Sequence, residues 1–212
     1  MKDDLNRIRR EYGDNALSKA DISKNPFLQF EKWFQLALKA NIPDANAMCL
    51  STVSAKGKPT ARILLLKDFD QKGFCFFTNY KSKKGRNIDI NPHGALVFFW
   101  PTLEKQIRIE GKIEKLEENL SDTYFYNRPI GSRIAAAVSP QSEEIENRNS
   151  LITTVDQFKA IHGEKFQRPE FWGGYRLIPD LFEFWQGREN RLNDRIEYIL
   201  HKNNWNIRRL AP

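Results

Sequence analysis

Apolar residues early in the chain recur at the spacing of an amphipathic helix. Phe27, Phe30 and Phe34 fall on one helical face, directly after Asn25-Pro26. Asparagine is a favoured N-cap, and proline suits the first helical position because that position needs no backbone N–H donor. The pattern therefore predicts a helix that begins at the proline and ends at about Ala40.

From Ala47 onward the pattern changes to short apolar or alternating runs that are typical of strands. Turns rich in Gly, Asp and Pro separate several of these runs, so neighbouring strands are expected to pair as antiparallel hairpins. The predicted strands are 48–53, 61–66, 74–78, 94–100, 105–116, 172–184 and further strands within 195–210.

Helical segments are predicted between these strands. They are a short helix within 81–90, two pieces within 118–138 that are broken at Arg128-Pro129, and a helix over 143–162. Many strands with short turns and a few interposed helices favour a mainly β fold, an antiparallel barrel with helical decoration.

The length of 212 residues and mass of 24.9 kDa fit one domain with an arm. Residues 1–24 are polar and charged, and they are expected to form a flexible N-terminal arm or lid, a disordered tail being the alternative. Residues 25–212 are expected to form a single domain.

The apolar runs, cysteines and histidines of the sequence indicate the cellular compartment and whether a metal site is expected. No run approaches the roughly 20 apolar residues of a membrane span, and no secretory signal is recognised. Cys49 and Cys75 lie in apolar stretches and are expected to be buried in a protein of the reducing cytoplasm. The three histidines are scattered outside any metal motif, so no metal site is expected.

The formal net charge of +7 makes nucleic-acid binding a competing hypothesis. The positive residues, however, fall in short clusters beside strand ends and turns. Discrete clusters favour several anionic pockets over one continuous nucleic-acid surface.

Four clusters carry candidate chemistry. In 62–67, strand alternation places Arg62 and Lys67 on opposite faces, so one strand could serve two anion sites; charged strand ends of purely structural origin are the alternative. In 78–86, lysines at a probable helix start could form a phosphate cradle, although the segment has no P-loop spacing.

The other two clusters lie in the second half of the chain. On a continuous helix, Tyr124, Arg128 and Ser132 would share a face and could bind one phosphate, although Pro129 complicates that helix and a capping serine with a surface arginine is as plausible. Gln141-Ser142 precedes a helix, and Ser142 as an N-cap is the default interpretation.

The segment 182–195 is the most informative. An apolar strand ends at Trp185 and is followed by Arg188, Arg191 and Arg195. An indole beside guanidinium groups suits a phosphorylated aromatic cofactor. The alternative is a hairpin with a solvated basic turn.

Taken together, these clusters resemble the pyridoxine/pyridoxamine 5′-phosphate oxidase family. The resemblance implies an antiparallel Greek-key split barrel that binds FMN, usually as a homodimer with FMN at the subunit interface. The matching segments run in order through nearly the whole chain: 9–12, 62–67, 77–78, 83–84, 104–106, 124–132, 141–142, 171–174, 185–195 and 209–212.

The resemblance also implies roles for individual residues. Arg191, Tyr12 and Asn193 would be the catalytic residues, and Arg62, Lys84 and Ser142 would bind the FMN phosphate. FMN would contact Arg62, Ile63, Leu64, Leu65, Leu66, Lys67, Phe77, Thr78, Lys83, Lys84, Gln106, Gln141, Ser142, Trp185 and Arg195. The substrate would contact Lys67, Tyr124, Arg128, Ser132, Arg191 and Asn193, under a lid of Arg9, Arg10, Glu11 and Tyr12.

Two residues depart from the family pattern. The family motif Arg-Leu-His reads Arg191-Leu192-Asn193 here, and an amide cannot titrate near neutral pH as an imidazole does. Lys83 stands where many relatives carry arginine, which replaces a bidentate fork with a point charge.

The activity implied by the resemblance is oxidation of pyridoxamine or pyridoxine 5′-phosphate to pyridoxal 5′-phosphate, with O2 as acceptor and H2O2 as product. A split-barrel flavoprotein with another substrate, similar to a flavin reductase, is an alternative that the Asn193 departure motivates. A basic nucleic-acid-binding protein is the third hypothesis, and neither nucleic acid nor a membrane is an expected partner.

Overall fold

The computed structural model describes residues 10–13 and 15–212, which divide between two compact units. Unit 1 comprises the described residues up to Leu50 together with Ala95–Gly111 and Pro179–Pro212, and unit 2 comprises Ser51–Gly94 and Lys112–Ile178. No helix within the described residues has both the length and the apolar character needed to cross a membrane.

Nine strands form one sheet in the described part of the chain. The strand order is β2-β1-β5-β6-β7-β4-β3, with β8 paired to β7 and β9 paired to β8. The register is antiparallel in the β3–β4, β4–β7, β7–β8 and β8–β9 pairs. The bounds are β1 Ala47–Val53, β2 Pro59–Leu65, β3 Asp68–Asp70, β4 Gly73–Asn79, β5 His93–Trp100, β6 Lys105–Lys115, β7 Trp172–Gln186, β8 Asp194–His201 and β9 Asn204–Leu210.

Five α-helices accompany these strands in the described residues, and the mainly β architecture with helices is confirmed. Two short 3-10 turns, Pro101–Leu103 and Glu189–Arg191, complete the elements. The helices are α1 Pro26–Lys39, α2 Lys83–Ile90, α3 Glu118–Tyr126, α4 Ile130–Val138 and α5 Arg148–His162.

The first helix forms where its local signals predict. The Asn25 side chain accepts a hydrogen bond from the Phe27 N–H at 2.9 Å, which caps the first turn. The buried face of α1 then packs aromatic rings edge-on within unit 1, with Trp33 at 5.2 Å from Phe184 between ring centroids. Burying rings of this size supplies much of the hydrophobic stabilisation of the unit.

The segment 118–138 is broken where the sequence predicts. Helix α3 ends at Tyr126 and α4 begins at Ile130, because Pro129 lacks an N–H and disfavours helical geometry in the residue before it. Tyr124 and Ser132 therefore lie on different helices, so the face that one continuous helix would have given them does not form.

The last helix starts later than predicted. Its N-cap is Asn147, whose side chain accepts a hydrogen bond from the Ser150 N–H at 2.9 Å. Ser142 is therefore not the cap of this helix, and it adopts a left-handed backbone with φ of 75°. The two cysteines also differ, since Cys75 is buried but Cys49 is half-buried.

Within unit 1, a buried carboxylate joins three strands. Glu183 on β7 accepts hydrogen bonds from Arg195 Nε at 2.9 Å and Nη2 at 3.0 Å, and from Arg108 Nη2 at 2.7 Å. Burial alone would raise the pKa of Glu183, but the two guanidinium groups hold it below its ordinary value.

We expect Glu183→Gln to remove this acid-sensitive contribution to stability. The folded-state pKa lies below that of the unfolded chain, so the contribution is fully present at neutral pH and is lost as pH falls through the folded pKa. Urea unfolding at pH 7 should show that the free energy of unfolding of the variant is lower by about 2 kcal/mol. This value is reduced to account for the partial exposure of both arginines.

The difference between variant and wild type should shrink as pH is lowered below about 4, where glutamates protonate. A difference that stays constant between pH 7 and pH 3 would contradict this account.

Candidate functional site

Unit 2 contains a buried lysine whose hydrogen-bond partners are all neutral. Lys84 on the first turn of α2 is 7% exposed. Its Nζ donates to Thr78 Oγ1 at 3.0 Å, to Ser82 Oγ at 3.1 Å and to Gln141 Oε1 at 3.3 Å. Burial, and then the nearby charge of Arg62, lower the pKa of Lys84 to about 8. A buried cation next to a second cation is the arrangement expected at an anion site.

Two threonine hydroxyls orient the second cation of this cluster. Arg62 Nη1 donates to Thr52 Oγ1 at 2.9 Å, and Nη2 donates to Thr60 Oγ1 at 2.6 Å. Asn87 on α2 also donates to both hydroxyls, at 3.1 and 3.2 Å. The guanidinium is therefore anchored from strands and helix together.

A cleft of about 580 Å³ opens beside these two cations. The predicted alternation of faces along residues 62–67 is confirmed. Arg62 is half-buried and Leu66 is buried, whereas Lys67 is exposed. Positive charge, polar side chains and the start of a helix in one cleft suit a phosphate group. The cleft is lined by 60–64, Lys83, Lys84, Gln141 and Ser142.

A second basic position in unit 2 lies against aromatic rings. The guanidinium of Arg128 lies 4.5 Å from the centre of the Trp172 ring, and its buried Nη1 has no hydrogen-bond partner among the residues that the structure describes. Burial lowers the pKa of Arg128, and the neighbouring Tyr124 opposes this. A buried donor without a partner costs stability, so this N–H is suited to donate a hydrogen bond to an anionic oxygen of a ligand.

The structure does not bring all the candidate substrate residues into one cavity with Arg128. Tyr124 stacks on Phe77, with 3.8 Å between ring centroids, and it lines a cavity of about 190 Å³ together with Lys67. Arg128 lines a different cavity, of about 220 Å³, with Gln141. Ser132 is half-buried in the first turn of α4, and its backbone N–H donates to the Pro129 carbonyl at 2.9 Å.

In unit 1, a tight loop follows the strand that carries Trp185. Asn190 and Arg191 both have left-handed backbones, with φ of 55° and 61°. Asn193 closes the loop, because its Oδ1 accepts the Arg188 N–H at 3.0 Å. Left-handed residues other than glycine are strained, and such strain is often retained at functional sites. Arg191 is exposed at the tip of this loop.

Two further candidate cofactor-binding residues of unit 1, Arg195 and Gln106, are less accessible to a ligand. Arg195 Nε and Nη2 contact Glu183, and its Nη1 donates to the Ala211 carbonyl at 2.9 Å. Gln106 is half-buried on β6. The sequence did not reveal that Arg195 has a carboxylate partner, because Glu183 reaches it only through the pairing of β7 with β8.

The described part of the N-terminal segment contacts unit 1. The Tyr12 ring meets Trp185 edge-on, with 5.6 Å between centroids, and the Leu17 N–H donates to Asp194 at 2.9 Å. Arg10 donates to the Pro101 carbonyl at 3.0 Å and Glu11 is exposed. Arg9, which the sequence assigned to the lid, lies outside the described residues.

Sequence reasoning assigned no role to several residues that organise these sites. Thr52 and Thr60 accept hydrogen bonds from Arg62, and Asn87 donates to the Thr52 hydroxyl. The Trp172 ring lies against the guanidinium of Arg128. Glu104 contacts the N-terminal segment. Trp172 and Glu104 lie in segments that match the family, which was the available signal, whereas the two threonines carry no motif.

Comparison with known proteins gives a consistent result. Residues 34–162 match the profile of a family described as pyridoxamine 5′-phosphate oxidase, and residues 172–212 match one described as pyridoxine 5′-phosphate oxidase C-terminal dimerisation region. A pyridoxine/pyridoxamine 5′-phosphate oxidase of Paraburkholderia phytofirmans is 48% identical over 210 residues, covering 98% of this chain and 99% of the relative. One of Burkholderia vietnamiensis is 50% identical over 208 residues, covering 97% of each.

Solved structures agree on the fold. PhzG from Burkholderia lata, in complex with tetrahydrophenazine-1-carboxylic acid, has a TM-score of 0.88 at 27% identity and covers 94% of this chain and 100% of its own. A pyridoxamine 5′-phosphate oxidase-related, FMN-binding protein of Nostoc punctiforme has a TM-score of 0.68 at 16% identity, covering 86% and 97%. The fold is that of the split barrels related to these oxidases.

Two adjoining profiles and relatives near half identity over almost the full length leave one assignment. This chain belongs to the pyridoxine/pyridoxamine 5′-phosphate oxidase family.

Proposed function

We propose that this protein is an FMN-dependent oxidase that converts pyridoxamine 5′-phosphate and pyridoxine 5′-phosphate to pyridoxal 5′-phosphate, with O2 as acceptor and H2O2 as product. The observation that carries the proposal is the buried Lys84 beside Arg62, both of which line a cleft of about 580 Å³. Relatives that match nearly the whole chain bear the name of this activity.

The residues of unit 2 fit the phosphate of FMN. Lys84 and Arg62 would balance its charge, and Ser142 and Gln141 would supply polar contacts at the rim of the cleft. When bound, FMN would accept a hydride from the substrate and pass the electrons to O2. The remaining proposed FMN contacts are Ile63, Leu64, Leu65, Leu66, Lys67, Phe77, Thr78, Lys83, Gln106, Trp185 and Arg195.

A second phosphate, that of the substrate, fits Arg128. Its unpartnered Nη1 would donate to a phosphate oxygen, and the Trp172 ring below would keep the guanidinium in place. Lys67, Tyr124 and Ser132 are the other proposed phosphate contacts. Holding a phosphate away from the reacting carbon allows binding energy to orient the pyridine ring.

By the family resemblance, we assign the reacting part of the substrate to Arg191 and Asn193, with Tyr12 as the lid. The tight loop closed by Asn193 limits the positions that the exposed Arg191 can take. Hydride transfer does not require a general base at this loop, so an asparagine in place of the family histidine is compatible with turnover. The dimerisation region matched by the C-terminal residues supports a homodimer.

The direct test of this function is the purified protein supplied with FMN. We expect flavin absorbance that remains after gel filtration, and peroxide release on addition of pyridoxamine 5′-phosphate. Riboflavin and unphosphorylated pyridoxamine are the matched controls, and both should perform poorly because each lacks its phosphate. Protein that retains no FMN would refute the proposal.

A second candidate is a flavoprotein oxidase of the same family with another substrate. The structural similarity to PhzG and the asparagine at position 193 both favour it. Retained FMN without turnover of either phosphorylated vitamer would support this candidate over the first.

We expect FMN affinity to depend on pH through Lys84. Above pH 7 the phosphate carries about two negative charges, so its own titration does not interfere. Lys84 in the free protein loses its proton as pH passes about 8, whereas a bound phosphate would hold that proton. The FMN dissociation constant should therefore rise by up to about tenfold per pH unit above this pKa, until the lysine of the complex also titrates.

Fluorescence titration with FMN between pH 7 and pH 9.5 measures this slope. Lys84→Arg should bind FMN with a nearly flat profile, because arginine stays protonated throughout this range. Lys112→Arg, at an exposed ion pair, is the matched control and should keep the wild-type slope. An equally flat wild-type profile would contradict the role of Lys84.

We expect Arg128→Ala to weaken substrate binding and to leave FMN bound. Loss of a charge-assisted hydrogen bond should raise the KM for pyridoxamine 5′-phosphate by about thirtyfold. Steady-state kinetics with FMN content measured in the same preparation provides the test. Arg148→Ala is the control, since Arg148 is an exposed arginine at the start of α5 without an assigned ligand. Loss of FMN in Arg128→Ala alone would show that the two phosphate sites are wrongly divided.

A further inference from the structure

Glu104 is a buried carboxylate that joins the N-terminal segment to the body of unit 1. It is 8% exposed and lies between the turn Pro101–Leu103 and β6, with a left-handed φ of 55°. Its Oε2 accepts the Gly13 N–H at 3.0 Å, and its Oε1 accepts Arg10 Nη2 at 3.3 Å. These two donors flank Tyr12 in the sequence.

The main chain of Glu104 holds the other side of the Tyr12 contact. Its carbonyl accepts the Gly187 N–H at 2.8 Å and Gln186 Nε2 at 3.2 Å. Those residues directly follow Trp185, against which the Tyr12 ring lies. One residue therefore fixes both partners of the ring contact.

The position of the Tyr12 ring also requires that residue 187 has no side chain. A Cβ built on Gly187 would lie 2.8 Å from Tyr12 Cγ, closer than nonbonded carbon atoms allow. An alanine at this position would thus displace the ring, and with it the segment that carries it.

We propose that Glu104 is a positioning residue that latches the N-terminal segment, so that Tyr12 stays against Trp185. The latch raises the fraction of molecules in which the segment is docked, and the apparent affinity of a ligand scales with that fraction. The effect on turnover rests on the proposed function, in which Tyr12 acts as a lid over the substrate. The docking itself does not.

The two contacts of the carboxylate differ in strength. Arg10 is 55% exposed, so its ion pair contributes little. The Gly13 N–H donates to an oxygen on a side chain that is only 10% exposed, where little water competes for the acceptor. The latch should therefore depend more on the reach of an acceptor oxygen than on its charge.

This difference defines the variants. Glu104→Gln keeps an amide oxygen at the same reach, whereas Glu104→Asn shortens the side chain by one carbon. Asparagine also tolerates a left-handed φ better than most residues, so the shortened variant should still fold. Glu114→Asn, at an exposed pair with Lys112, is the matched control.

Limited trypsin digestion of the FMN-loaded protein, followed by mass spectrometry, reports docking through cleavage after Arg10. We expect cleavage about tenfold faster in Glu104→Asn, which corresponds to a change of about 1.4 kcal/mol in docking. Glu104→Gln should stay within about threefold of wild type and Glu114→Asn should match it. Equal rates in Glu104→Asn and wild type would overturn the latch.

Kinetics separates positioning from a general structural role. Glu104→Asn should raise the KM for pyridoxamine 5′-phosphate by about tenfold and leave kcat within about twofold, with unchanged FMN content and Tm. A fall in Tm with loss of FMN would mean that Glu104 only supports the fold, and would overturn the proposal.

Gly187→Ala should also displace the N-terminal segment from Trp185, and it leaves Glu104 unchanged. It should also accelerate cleavage after Arg10, and combining it with Glu104→Asn should add less than the sum of the single effects, because both displace one segment. Full additivity would count against a shared latch. If wild-type protein oxidises neither vitamer, the proposed function fails, while the cleavage rates still decide whether the segment is latched.

Discussion

The burial of the Lys84 charge is the constraint on which the candidate site depends. Removing an ammonium group from water costs several kcal/mol, and three neutral oxygens return only part of it. The positive charge of Arg62 increases the cost further, as the lowered pKa of Lys84 indicates. A bound anion offsets all these terms at once, so the same arrangement that disfavours the empty site favours a phosphate in it.

The partners of the individual cations give the net charge of +7 a specific meaning. In unit 1, Arg195 and Arg208 contact buried carboxylates, Glu183 and Glu197, so these charges are balanced within the protein. In unit 2, Arg168 and Arg176 are likewise paired with carboxylates, whereas Lys84 donates to neutral oxygens and the buried Nη1 of Arg128 has no hydrogen-bond partner among the described residues. These two cations are therefore available to an anionic ligand, which favours small phosphorylated ligands over a nucleic-acid surface.

The sequence predicted the features that local chemistry determines. Asn25 caps α1 and Pro129 separates α3 from α4, because both act on their immediate neighbours. It failed where two local solutions compete, as at α5, since Ser142 and Asn147 are both acceptable caps and local chemistry does not choose between them. The contact of Glu104 with Gly13 spans 91 positions and has no local signature, so only the structure reveals it.

The asparagine at position 193 is best understood from the hydrogen bond that it accepts. Its Oδ1 receives the Arg188 N–H at 3.0 Å, at the loop where Arg191 is held in a left-handed conformation. A histidine could accept such a bond only through a neutral ring nitrogen, and protonation near neutral pH would remove that acceptor. An amide oxygen accepts at any pH in this range. Asn193 therefore closes the loop with an acceptor that does not titrate near neutral pH.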